Sequence, residues 1–165
     1  CSSDLTPRAD GRARLRQKQE CAGLTEDHLL TLLRGGPLDP AGELAALEPE
    51  PGMLIETLDD YAALGLPGLR LALDTGHCLV TQEREPAAAV TEFADRLGTV
   101  AIEDMARGTH IHLPFGEGDM DVPGVLEALE AVGFGKLICV ELSRESHRAD
   151  RMIPDSLRYL RECRR

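Results

Sequence analysis

Tryptophan is absent from this 165-residue chain, and three phenylalanines and two tyrosines are its whole aromatic content. So sparse a set builds no platform for stacked bases. Positive charge is also short: 18 Lys and Arg against 29 Asp and Glu leave a formal net charge of −11. That field disfavours a nucleic-acid backbone and an anionic membrane surface. The five basic residues between Arg8 and Lys18 are a local exception, and they read as a solvated helix or frayed terminus rather than an RNA-binding arm. No apolar run approaches the roughly 20 residues that cross a bilayer. The N-terminal residues lack the apolar core of a signal peptide. A soluble, cytoplasmic protein is therefore expected. The five cysteines (Cys1, Cys21, Cys78, Cys139 and Cys163) include no CxxC pair, so neither a disulfide framework nor a zinc knuckle is indicated. Cys78 and Cys139 lie in or beside apolar runs and read as small core residues.

What is present is a regular alternation. Strand-like runs "LAALE" (44–48), "LRLALD" (69–74), "TVAIED" (99–104) and "KLICVEL" (136–142) are separated by helical patterns at 56–64, 86–97 and 122–133, and a last helix covers 153–163. Pro86 suits a first helical turn. Asp121 suits the cap of the third helix and Gly133 its end. "TGH" (75–77) reads as a polar loop. Strands that are nearly continuously apolar and alternate with helices indicate an α/β fold with a parallel sheet covered by helices. Either an open doubly wound sheet or part of a (β/α)8 barrel gives this string. Residues 1–43 form a poorly defined, partly helical N-terminal segment, with a helix at 24–36 and no strand before it.

Each strand ends in an acid: Glu48, Asp74, Glu103 with Asp104, and Glu141. In parallel α/β folds the carboxyl ends of the strands open on one face, where ligands bind. Four acids in phase therefore converge on one mouth, and like charges so close repel unless a cation lies between them. Oxygen donors with a histidine favour Mg²⁺ or Mn²⁺, with Zn²⁺ or Co²⁺ as further candidates. The loop after the third strand adds Arg107, His110 and His112 among its glycines, and "GEG" is too short for a Walker-type phosphate cradle.

The segments "ALEPEPG", "LALDTGH", "VAIEDMARG…HLPFGEGDMD" and "LICVELSRESH" together resemble the last four strands of the xylose-isomerase-like TIM barrels, closest to the sugar phosphate isomerase/epimerase group. The likeness covers roughly residues 44–162 and makes 44–165 the C-terminal half of such a barrel. It implies one divalent metal held by Glu, Asp, His and Glu, with Glu48, Asp74 and Glu141 at three of those positions. Glu50 is a second candidate at the first strand end, or a substrate contact. His77 matches a substrate-contacting histidine and Arg107 an arginine that grips substrate oxygens, while the loop itself places His110 and His112 as residues lining the pocket, His112 as a substrate contact. The implied substrate is a small sugar or sugar phosphate. The implied reaction is metal-assisted proton transfer through an enediolate, with Glu48 and Glu141 removing and returning the proton.

Two departures temper this. Members of the family usually read "VHIED" where this chain reads "VAIED", and Ala101 binds no metal; His110 or His112 from the loop, or Asp104 as an outer ligand, are the candidate substitutes. Loss of that ligand predicts a weakened metal site and a poor catalyst. The second departure is length, since a full barrel needs about 250 residues. A half barrel leaves open sheet edges and an uncovered interior, which invites self-association. The alternatives are a non-catalytic or truncated fragment acting as a binding subunit, and an inosose-type dehydratase with the same metal site. A DNA-cleaving member of the superfamily would need more histidines and a basic track.

Overall fold

The computed structural model describes residues 46–66 and 68–164. The expected N-terminal segment 1–43 and its helix at 24–36 lie outside the described residues, as do the first two residues of the expected first strand. Four strands form one sheet in the order β1-β2-β3-β4: β1 Ala46–Leu47, β2 Arg70–Asp74, β3 Leu97–Ile102 and β4 Ile138–Val140. Every neighbouring pair is parallel. The helices are α1 Leu58–Ala63, α2 Thr75–Thr81, α3 Pro86–Glu92, α4 Val122–Ala131 and α5 Ala149–Cys163. Single 3₁₀ turns at Ala94–Arg96 and Ser143–Arg148 lead into β3 and α5.

Local chemistry sets the helix starts. Thr57 caps α1 in a capping box: its hydroxyl accepts the Asp60 N–H and the Asp60 carboxylate accepts the Thr57 N–H, each at 3.0 Å. Pro86 begins α3 where a missing N–H costs nothing. Asp121 caps α4 by accepting the Gly124 N–H at 3.1 Å, as its position predicts, and Gly133 leaves that helix with φ +65°.

Side chains on adjacent strands that stand opposite one another share a face. Leu73, Val100 and Ile138 form one such row and point to the helices. Leu71, Leu73, Val100 and Ile102 pack there with Leu79, Val90, Val122 and Val125 in the buried core. Asp74, Ala101 and Cys139 form a row on the opposite face. That second face carries small side chains below the mouth, among them Ala72, Thr99 and Ala101, all half-buried.

Three expectations differ from the structure. "TGH" is not a loop but the first turn of α2. The last helix starts at Ala149 rather than 153 and runs through Pro154. Cys78 is buried as expected, whereas Cys139 is exposed, because β4 is an outer strand with little covering it.

Candidate functional site

The strand-end acids occupy equivalent places. Asp74 is the last residue of β2, and Glu48, Glu103 and Glu141 each directly follow β1, β3 and β4. One mouth therefore receives an acid from every strand. Asp74 also caps α2: its Oδ1 accepts the N–H groups of Gly76 and His77 at 2.8 and 3.2 Å. This bends the chain directly from strand to helix and brings His77 back over the strand end.

His77 is buried, and its Nδ1 lies 2.9 Å from the carbonyl oxygen of Pro49. A carbonyl only accepts, so Nδ1 carries the proton, and Nε2 is turned toward Asp74 Oδ2 at 3.5 Å. Glu48 Oε1 stands 3.8 Å from Nδ1. Glu48, Asp74 and His77 thus offer ligand atoms within 4.8 Å of one another, a donor set that could hold a metal ion. The His110 ring meets the His77 ring edge-on at 4.9 Å, and His112 follows at 5.9 Å from His110. Three imidazoles line the rim.

Burial dominates the electrostatics. Asp74 is held well above the usual carboxylate range, first by burial and further by Glu103 and Glu48, with His77 opposing. Glu103 is fully buried; desolvation first, and the charges of Glu141, Glu48 and Asp104 after it, push its carboxyl up to about 7. Glu103 Oε2 is engaged by His112 Nδ1. Glu103 Oε1 and Asp74 Oδ2 are buried without a hydrogen-bond partner.

The structure does not bring the other expected residues into this cluster in the same way. Asp104 spends its carboxylate on the loop: Oδ2 accepts the Gly116 and Gly118 N–H groups at 2.8 and 3.1 Å, and Oδ1 the Met120 N–H at 3.0 Å. Arg107 lies at the exposed rim, where its guanidinium pairs with Glu85 at 2.8 Å. Glu50 sits in the turn after β1, its carbonyl accepting the Met53 N–H and its N–H donating to Ile55. Glu141 reaches the mouth from β4 and is half-buried. Glu103 stands at a strand end in the sequence, with no role expected of it. The signal was its spacing, two residues beyond Ala101 and so on the same face.

Residues 38–163 match the model of a protein family described as xylose isomerase-like TIM barrel. No curated protein matches the chain. Among solved structures, a xylose isomerase domain protein from Planctomyces limnophilus aligns at 17% identity over 74% of this chain and 47% of its own, with a TM-score of 0.59. The 3-keto-D-glucoside 4-epimerase of E. coli aligns at 22% over 96% of this chain and 57% of its own, with a TM-score of 0.57. The D-psicose 3-epimerase of Clostridium cellulolyticum H10 aligns at 15% over 98% and 60%, with a TM-score of 0.59. These likenesses carry the fold, and the chain spans about half the length of the structures it matches.

Proposed function

Because the chain belongs to the xylose isomerase-like TIM barrel family, we propose that its acidic mouth serves the isomerisation or epimerisation of a small sugar or sugar phosphate. The observation that carries this reading is the meeting of Glu48, Asp74 and His77 ligand atoms within 4.8 Å, at the strand ends where a parallel α/β fold binds its ligands. The donor set suits a divalent cation, and two buried oxygens without partners, Asp74 Oδ2 and Glu103 Oε1, favour a positive charge among them. Glu48 and Asp74 of this set, joined by Glu141 from β4 and with His77 beside them, would hold the cation, which when bound would supply Lewis-acid polarisation of a substrate carbonyl.

The chain's own residues account for the rest. Glu48 and Glu141 stand at the ends of β1 and β4, the two outer strands of the described sheet. One takes a proton from the carbon beside a carbonyl and the other returns it. Return to the neighbouring carbon isomerises the sugar, and return to the original carbon from the opposite side epimerises it. His77, with its tautomer fixed by Pro49, orients a substrate hydroxyl. Arg107 meets outer substrate oxygens from the rim.

The test is proton exchange. Purified protein with Mn²⁺ and a panel of ketoses and ketose phosphates in D₂O should incorporate deuterium at carbon, slowly in wild type and faster in Ala101→His. Glu141→Gln should stop it. Absence of both exchange and Mn²⁺ binding in wild type and Ala101→His would remove the proposal. A second reading is favoured by Ala101, which stands in register with Asp74 and offers no donor: the mouth binds a sugar without turnover. Mn²⁺ and sugar binding without deuterium incorporation would select it.

A further inference from the structure

We infer that Glu103 supplies the donor that residue 101 lacks, so that a divalent cation is held by Glu48, Asp74, Glu103 and Glu141 beside His77. The inference rests on the metal-assisted reading above and assigns its missing ligand.

Position leads to it first. Ala101 is paired in register with Asp74 on one side and Cys139 on the other. Strand side chains alternate, so Glu103 lies on the same face one step nearer the mouth. A glutamate there is long enough to turn back toward the place that a shorter side chain on residue 101 leaves unfilled.

Partnering comes second. Glu103 is fully buried, and its Oε1 has no hydrogen-bond partner among the described residues; the same holds for Asp74 Oδ2. Gly76 adjoins both carboxyl groups, its N–H donating to Asp74 Oδ1 at 2.8 Å and its Cα facing Glu103 Oε1, so the two are neighbours. Both offer only lone pairs when ionised, so a proton or a cation has to stand between them.

Space is the third argument. A Cβ built on Gly76 would fall 2.6 Å from Glu103 Oε1. Gly76 is not in the left-handed region, so room for this carboxylate, rather than backbone freedom, is what the glycine provides. His112 holds the other oxygen of Glu103 and acts as a positioning residue. Asp104, whose oxygens accept three backbone N–H groups, is occupied elsewhere. Exchanging an imidazole nitrogen for a carboxylate oxygen hardens the site and favours Mn²⁺ or Mg²⁺ over Zn²⁺.

The experiment is calorimetric titration of Mn²⁺, and separately Zn²⁺, into the full chain stripped of metal by chelation. Wild type, Glu103→Gln, Gly76→Ala, Ala101→His and the double variant Ala101→His/Glu103→Gln are compared, each checked for folding by circular dichroism without metal. Wild type should bind Mn²⁺. Glu103→Gln should weaken binding by about 10-fold or more. Gly76→Ala, which removes no donor, should weaken it too by displacing the carboxylate. The double variant should recover most of the loss and shift preference toward Zn²⁺. Equal Mn²⁺ affinity of wild type and Glu103→Gln would overturn the inference and leave the proposed function standing. Binding by Ala101→His with none by wild type would do the same, showing the other ligands assembled without Glu103. Binding by no variant would overturn both readings and leave Asp74 and Glu103 sharing a proton.

Discussion

Asp74 and Glu103 set the pH response of the metal-free protein. Burial, aided by neighbouring acids, raises both carboxyls, Glu103 from 4.5 to about 7. A group that binds its proton more tightly folded than unfolded stabilises the fold at low pH, and that contribution is lost as pH rises through the folded value. Urea midpoints of chelator-treated protein should therefore decline as pH rises from 4.5 through about 7, and Glu103→Gln should flatten the decline. An unchanged slope in that variant would place the buried charge elsewhere. Tyr61 carries a second residue-scale prediction. Its hydroxyl donates to the Leu69 carbonyl at 2.8 Å inside the core. Tyr61→Phe should cost about 1 kcal/mol in denaturant unfolding. Residue identity was legible where a strand end and an acid coincide, as at Asp74. Glu103 was harder to assign, because "VAIED" draws attention to the residue that is missing rather than to the one two places on.

At the scale of elements, the alternation of apolar runs showed the order of strands and helices, and the structure places them in that order. The lengths differ for a physical reason. β4 has three residues, since it has a neighbour on one side only in the described sheet, and β1 is described from Ala46 onward. α2 was hidden because its seven residues are too few to display a helical period, and its start depends on the Asp74 carboxylate accepting two N–H groups. The 104–121 segment, read as a polar loop, is organised by a single side chain: Asp104 accepts three backbone N–H groups, and its backbone carbonyl accepts the Leu113 N–H at 2.8 Å. Hydrogen bonds to a charged group contribute about 1.5–3 kcal/mol each, with partial compensation by water once they are lost. Asp104→Ala should destabilise the fold by about 3 kcal/mol and open residues 108–118 to limited proteolysis. A variant as resistant as wild type would mean that the glycines alone hold this loop.

The described residues form part of a barrel, with the helix-facing side of the sheet filled and β4 at its edge. Leu137, Ile138, Val140, Ile153 and Leu157 are exposed, and a groove of about 250 Å³ runs between β4 and α5, lined by Val140, Leu142, Met152 and Leu157 among others. No described helix is long and apolar enough to cross a membrane. An outer strand with apolar flanks predicts concentration-dependent association of this chain. Size-exclusion chromatography should show it, and Ile138→Lys with Leu157→Glu should shift the elution toward the monomer. The exposure of β4 has one more consequence. Its amides are shielded on one flank alone, while those of β2 and β3 lie between neighbours. Deuterium uptake should thus be slow in the sheet's centre and quick at 138–140, the segment that delivers Glu141. The mouth then has one loose wall, three of its acids resting on firmer backbone and the fourth on the strand that opens most readily.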